Sequence, residues 1–197
     1  MNEITKSEMK VVLKLAKSPE IIYNANSLSK DIGITPMGAL KILKRLEKES
    51  ILKSRKIGKS ITYKVDVEQR YAQRYTSLIL SREAIYQTPQ IKRWINELKK
   101  IRNADLIVLF GSVLEKPNPN DIDVLLVTDQ RRFKKLQQEI KEINELNIKK
   151  IHPMYQTFED VIKNIKKRDK PLLNAIKGII VVGEDKFVEI YNESRKE

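Results

Sequence analysis

The chain has no cysteine, a single histidine, no apolar run of membrane-spanning length and no internal repeat. The missing cysteine excludes disulfides, zinc–thiolate sites and a thiol nucleophile. Without a long apolar run or an opening signal peptide, no membrane partner is expected and the cytoplasm is the expected compartment. What remains is a chain of 197 residues with 41% apolar content, enough for two small domains with a modest core each. Lysine and isoleucine richness without cysteine suits an archaeal or thermophilic prokaryote.

Acidic side chains are scarce in one place. The formal charge is +13, yet residues 41–64 alone hold nine Lys or Arg against two Glu. The surrounding pattern is helical. Ser7 to Ser18 carries Met9, Val12, Leu13 and Ala16 on one side. Asn26 or Ser27 can cap a second helix with Leu28 and Ile32, ended by Gly33. Thr35 caps a third, with Pro36 in its first turn, where a missing N–H costs nothing. Met37, Leu40, Leu43 and Leu46 form its expected apolar face. Lys41, Lys44, Arg45 and Lys48 point elsewhere. Two alternating strands follow, Ile51 to Ile57 and Ser60 to Val65, joined around Gly58-Lys59.

Two helices, a turn, a basic helix and a basic hairpin over residues 1–66 resemble a winged helix-turn-helix domain. The resemblance implies double-stranded DNA as partner, with the third helix in a major groove and the hairpin on the neighbouring backbone. Met37, Gly38, Lys41, Lys44 and Arg45 are the helix candidates for contact. Lys53, Arg55, Lys56 and Lys59 are the hairpin candidates, and phosphate neutralisation by them would make affinity steeply salt-dependent.

Residues 67–100 read as a helical linker or dimerisation segment. Tyr71, Tyr75, Leu78 and Ile79 form one stripe; Ile91, Trp94, Ile95 and Leu98 form another. Thr88-Pro89 separates them, because proline disfavours helix in the preceding residue. A homodimer would match palindromic half-sites; alternatively the stripes cover a sheet.

Residues 101–197 alternate strands with helices, the pattern of an α/β or α+β domain. The strand Leu106–Phe110 runs into Gly111-Ser112. After a short loop, Asp121-Ile122-Asp123 opens a second strand, Val124 to Val127. A period of two puts Asp121 and Asp123 on one face. Gly111 permits close backbone approach to a phosphate, Ser112 offers a hydroxyl, and the paired carboxylates are hard ligands suited to Mg²⁺. Arg131 to Leu146 is an amphipathic helix. It leads to a strand within Ile148 to Gln156. Phe158 to Lys167 and Leu172 to Lys177 are read as helices, Ile179 to Val182 as a strand before Gly183, and the segment from Glu184 as helix.

Gly-Ser, a loop and Asp-x-Asp on a strand resemble the signature of the nucleotidyltransferase superfamily in its minimal form, and the run around Ile179–Val182 extends the likeness. The resemblance implies a mixed sheet with flanking helices, Gly111 and Ser112 on a nucleoside triphosphate, and Asp121 and Asp123 as metal ligands and catalytic residues. It also implies transfer of a nucleotide to an acceptor, and in some minimal members that acceptor is a partner toxin. The chain departs from the family pattern. No third carboxylate lies in the segment 148–156; Glu159 and Asp160 open the next helix, and nothing ties Asp105 to the site. Val113, Leu114 and Glu115 stand where relatives carry a basic and a small residue. His152, next to Pro153, is read as a strand-end residue without chemistry, with a substitute base as the alternative.

The expectation is an α+β or α/β chain, a winged helix-turn-helix followed by a nucleotidyltransferase-like mixed sheet. It would act as a DNA-binding transcriptional regulator whose second domain is degenerate or nucleotide-sensing. The alternative is an active Mg²⁺-dependent nucleotidyltransferase with a protein or nucleic-acid acceptor.

Overall fold

The computed structural model describes residues 4–116 and 118–196. The chain is α+β and divides into two compact units, Met1–Ile79 and Leu80–Glu197. The boundary falls inside one helix, between Ile79 and Leu80, within the helical segment 67–100.

The N-terminal unit runs α1 (Lys6–Lys17), β1 (Tyr23–Asn24), α2 (Ala25–Ile32), α3 (Pro36–Lys48), β2 (Leu52–Ile57) and β3 (Ser60–Val65), then the first turns of α4 (Arg70–Ile85). Its sheet order is β1-β3-β2, all antiparallel. This is the three-helix-plus-wing arrangement. Helix α2 starts earlier than expected: Asn24, not Asn26 or Ser27, is the cap, and Ser27 completes a capping box by accepting from the Asn24 backbone N–H. Asn24 also forms part of β1, which the sequence pattern did not suggest because two residues are too few for an alternation. Thr35 caps α3 with Pro36 in the first turn, as expected.

The apolar face of α3 is Ala39, Leu43 and Leu46, packed with Val11, Val12, Leu15 and Leu28 in the core. Met37 is excluded from that core at 74% exposure, which corrects the apolar face expected for this helix. Likewise the α4 stripe splits. Tyr75 and Ile79 are buried while Tyr71 and Leu78 are exposed.

The C-terminal unit carries a four-stranded mixed sheet, order β6-β5-β4-β7, from β4 (Leu106–Phe110), β5 (Ile122–Val127), β6 (Ile151–Gln156) and β7 (Ile179–Val182). β4 is antiparallel to β5 and β7; β5 and β6 are parallel. Parallel neighbours need a crossover, supplied by α6 (Phe133–Leu146). One sheet face offers Ile107, Leu109, Ile122, Val124 and Leu126 to α6 and to α5 (Pro89–Leu98). The buried side of α5 is Ile91, Trp94, Ile95 and Leu98, so this stripe covers the sheet.

Strand alternation gives Leu106, Val108, Leu125 and Val127 to the other face. The helices α7 (Phe158–Lys166), α8 (Lys170–Ala175) and α9 (Glu184–Ser194) complete the unit, α8 and α9 against β4. Gly183, at φ 91°, ends β7 where a Cβ would come within 2.9 Å of Cα of Leu106. No helix among the described residues is long and apolar enough to cross a membrane.

Candidate functional site

Two surfaces hold the residues singled out by sequence, one in each unit.

On the N-terminal unit, Met37, Lys41, Lys44 and Lys48 follow the i, i+4, i+7, i+11 spacing and are all exposed. They form one basic stripe with a methionine at its N-terminal end. In the wing, Ile57 pairs with Ser60, which leaves Gly58-Lys59 as the two-residue turn. Arg55, Lys56 and Lys59 are exposed along it. None of these six cations has an ion-pair partner among the described residues. Gly38 is half-buried, its N–H donated to Thr35 Oγ1 at 3.1 Å.

Two of the expected DNA contacts are turned elsewhere. Arg45 pairs with Glu8 of α1, which is buried at 5% side-chain exposure and accepts a second bond from Tyr75 Oη. Its guanidinium therefore serves the core junction of α1, α3 and α4. A basic residue one position from the exposed stripe looks identical in sequence; only the facing helix distinguishes it. Burial, then the bond to Glu8, pushes the Tyr75 phenol well above its ordinary range. Lys53, at the wing base, pairs with Asp66 at 3.4 Å and with Glu68. The bond to Glu68 raises the Lys53 ammonium pKa, and the Lys53 bond lowers that of Glu68.

On the C-terminal unit, β4 ends at Phe110, paired with Asp123. The chain then enters a 3₁₀ turn, Gly111–Leu114, with Gly111 at φ 77°. A Cβ at 111 would stand 2.9 Å from Cγ of Asp123 and nearer still to Oδ2. Glycine is required there both by the backbone angle and by the carboxylate pressed against it. Ser112 is half-buried and its hydroxyl makes no hydrogen bond among the described residues. Val113 is buried in the core under the sheet, with Leu114 packed beside it. Val113 and Leu114 thus anchor the turn. Lys149, just ahead of β6, donates to Asn118 Oδ1 and Pro119 O and ties down the segment leading to Asp121.

Asp121 is exposed and immediately precedes β5; Asp123 lies within it. Their side chains share the face opposite α5 and α6, as alternation requires, since Ile122 between them is fully buried in that core. The parallel register puts His152 of β6 beside Asp123, with Nδ1 3.2 Å from Asp123 Oδ1. Ligand atoms of Asp121, Asp123 and His152 all lie within 4.8 Å of one another. His152 is the second residue of β6, and its neighbourhood with Asp123 comes from strand pairing that the sequence pattern does not show. No third carboxylate joins this group among the described residues. Glu159 and Asp160 sit in the first turn of α7, which Thr157 caps. Asp105 is at the far end of β4, paired with Arg132.

That far end holds a cavity of about 470 Å³ edged by Asp105, Thr128, Asp129, Thr157 and Asp160. Its three aspartates are engaged, and Glu159 also lines it. Arg132 bridges Asp105 and Asp129, and Thr157 bonds Asp160. The Arg132 bond holds the Asp129 carboxyl below its usual range. The Asp121–Asp123–His152 edge has the chemically convergent groups.

A family model described as "Family of unknown function (DUF6932)" matches residues 53–197, from the wing to the end of the chain. The chain belongs to the DUF6932 family. The matched span includes the wing hairpin, α4 and the whole C-terminal unit, and it omits α1 to α3. No curated protein matches the chain. Among solved structures, the zinc-responsive MarR family member ZitR from Lactococcus lactis is similar at 14% identity and TM-score 0.28, over 51% of this chain and 74% of that one. Wild-type ZitR in complex with DNA aligns at 16% identity and TM-score 0.28, over 50% and 73%. The zinc-dependent MarR family transcriptional regulator AdcR aligns at 18% and 0.24, over 51% and 75%. Likenesses this partial carry no function over to a DUF6932 protein.

Proposed function

We infer that this chain is a DNA-binding regulator: its N-terminal unit is a winged helix-turn-helix that grips duplex DNA, and its C-terminal unit is a nucleotidyltransferase-like module that binds a nucleoside triphosphate. The observation that carries the first half is the segregation of unpaired cations. Lys41, Lys44 and Lys48 on α3 and Arg55, Lys56 and Lys59 on the wing are exposed without partners among the described residues, while Arg45 and Lys53 nearby are neutralised internally. Evenly solvated lysines would show no such division. Cations on a helix face and an adjoining hairpin suit groove and backbone contact respectively. Fluorescence anisotropy on genomic duplexes across a salt series tests this. Binding whose logarithm falls linearly with log salt supports it, and no binding at low salt refutes it.

Nucleotide binding is supported by Gly111 closed against Asp123, the free hydroxyl of Ser112, and Asp121 beside Asp123. Asp121 and Asp123 would hold a divalent ion; that ion would neutralise triphosphate charge. Gly111 and Ser112 would meet the phosphates.

A second reading, active transfer of a nucleotide to a protein or nucleic-acid acceptor, is favoured by His152. It stands beside Asp123 at 3.2 Å, where it would accept a proton from an acceptor hydroxyl in place of a carboxylate. Incubation with labelled nucleoside triphosphates and Mg²⁺ decides between the readings. Labelling lost in Asp121→Ala/Asp123→Ala establishes transfer. Binding without labelling leaves a sensor.

A further inference from the structure

We propose that Asp121, Asp123 and His152 form a mixed oxygen–nitrogen divalent-metal site, and that His152 tilts it toward Mn²⁺ and other first-row transition ions over Mg²⁺. This rests on the reading of the two aspartates as metal ligands, adds the third ligand and the metal preference, and replaces the proton-accepting role of His152 in the second reading.

Three observations converge on it. The ligand atoms come from neighbouring strands whose pairing is fixed. Asp123 and His152 are opposite each other in the parallel β5–β6 register, and Asp121 is two residues before Asp123. Their mutual separations stay within 4.8 Å. Divalent ions hold nitrogen and oxygen ligands at about 2.0–2.2 Å. Adjacent ligands then stand about 3–3.5 Å apart, so the group reaches that spacing by side-chain rotation alone. The strands do not have to move.

Charge is the second observation. The chain carries 39 Lys and Arg, and several acids elsewhere are paired with them: Glu8 with Arg45, Asp31 with Lys14, Asp66 with Lys53, and Asp105 and Asp129 with Arg132. Asp121 and Asp123 are drawn together with no Lys or Arg partner among the described residues; the side chain that meets Asp123 is His152, Nδ1 to Oδ1 at 3.2 Å. Two like charges side by side are unfavourable unless a cation neutralises them. In a protein so rich in lysine, their isolation from it keeps the position open to a metal.

The third observation is Gly111. A Cβ would fill the space occupied by the Asp123 carboxylate, so glycine at this position is what leaves room for that carboxylate beside the turn. His152, at 75% side-chain exposure against 25% for Asp123, stands at the solvent rim.

The donor set decides the metal. Mg²⁺ prefers oxygen ligands and near-ideal octahedral geometry, and is dehydrated reluctantly. Imidazole nitrogen suits transition ions. Replacing a third carboxylate with His152 removes one negative charge and one hard ligand, which weakens Mg²⁺ most.

The test is Mn²⁺ titration of the full chain by electron paramagnetic resonance, without DNA or nucleotide, followed by electron spin echo envelope modulation. His152 is the single histidine, so imidazole nitrogen coupling to bound Mn²⁺ identifies it. The expected result is Mn²⁺ binding with that coupling and weaker binding of Mg²⁺ in competition. His152→Ala loses the coupling and about tenfold or more in Mn²⁺ affinity, since removing even an outer partner of a ligand typically costs 10–100-fold. His152→Asp keeps binding, lacks the coupling and narrows the preference over Mg²⁺. Circular dichroism checks that each variant is folded.

No Mn²⁺ binding, binding without nitrogen coupling, or unchanged affinity in His152→Ala overturns the proposal. Binding of labelled nucleotide with Mg²⁺, measured in parallel, separates the two readings. Nucleotide binding that needs the aspartates but ignores His152, with no nitrogen coupling, sinks this inference alone. Nitrogen-coupled Mn²⁺ with no nucleotide binding sinks the nucleotide reading alone.

Discussion

Gly111 and Asp123 are packed backbone to carboxylate: a Cβ on the first would lie 2.9 Å from Cγ of the second. The turn after β4 and the second residue of β5 are therefore shaped to each other. Gly111→Ala must either give up φ 77° or push the Asp123 carboxylate aside. A left-handed conformation costs a non-glycine residue about 1–2 kcal/mol. The variant is expected to lose at least that in denaturant unfolding and to lose metal and nucleotide binding. Ser112→Ala, which removes only a hydroxyl without a protein partner among the described residues, is expected to keep stability while weakening nucleotide. Isothermal calorimetry beside urea unfolding checks both.

Neighbouring basic residues of α3 have opposite expected phenotypes. Lys44→Ala removes an exposed cation from the stripe and should lower the slope of log affinity against log salt by about 1, at unchanged stability. Arg45→Ala should leave that slope alone. It strands the buried Glu8 carboxylate and is expected to cost about 1–3 kcal/mol or more. Anisotropy titrations at several salt concentrations, paired with unfolding curves, distinguish the two.

Tyr75 predicts alkaline lability. Its phenol is raised above the ordinary value of 10.0 by burial and by its bond to Glu8. At pH above about 10 the unfolded chain releases this proton while the folded chain keeps it, so the folded state binds more protons and stability falls as pH rises. Below pH 10 the contribution is fully present. Tyr23, Tyr63 and Tyr155 are raised in the same sense, each chiefly by burial. Tyr75→Phe should make the decline between pH 10 and pH 12 shallower, read from unfolding midpoints across pH, with the wild-type slope retained if the phenol is irrelevant.

Trp94 tests what α5 is for. It is 5% exposed and packs with Leu98, Ile107 and Leu126. Trp94→Ala is expected to cost about 3–5 kcal/mol. Because the contact lies within one chain, the loss should not depend on protein concentration in unfolding experiments. A concentration-dependent loss would instead mark a helix shared between copies.

Much of this was legible in the chain itself, wherever the governing interactions are local. Thr35-Pro36 opens α3 because capping needs only the adjacent N–H groups. Asp121 and Asp123 share a face because strand alternation is a property of the backbone. The unmatched composition of residues 41–64 marked the basic helix and wing for the same reason: it needs no knowledge of what packs where. Asn24 as the cap of α2 was missed although it is local, since β1 is too short to show a period and two later polar residues compete for the role.

Long-range pairing decided the rest. His152 and Asp123 are 29 residues apart, and only the parallel register of β5 and β6 makes them neighbours. Arg45 and Lys44 carry the same charge one position apart; the packing of α1 on α3 turns one to Glu8 and leaves the other in solvent. Residue type and periodicity specify which side of its own element a side chain occupies, because that depends on backbone geometry alone. What stands opposite that side depends on which distant segment supplies the favourable burial, and that is settled only when the whole chain has folded.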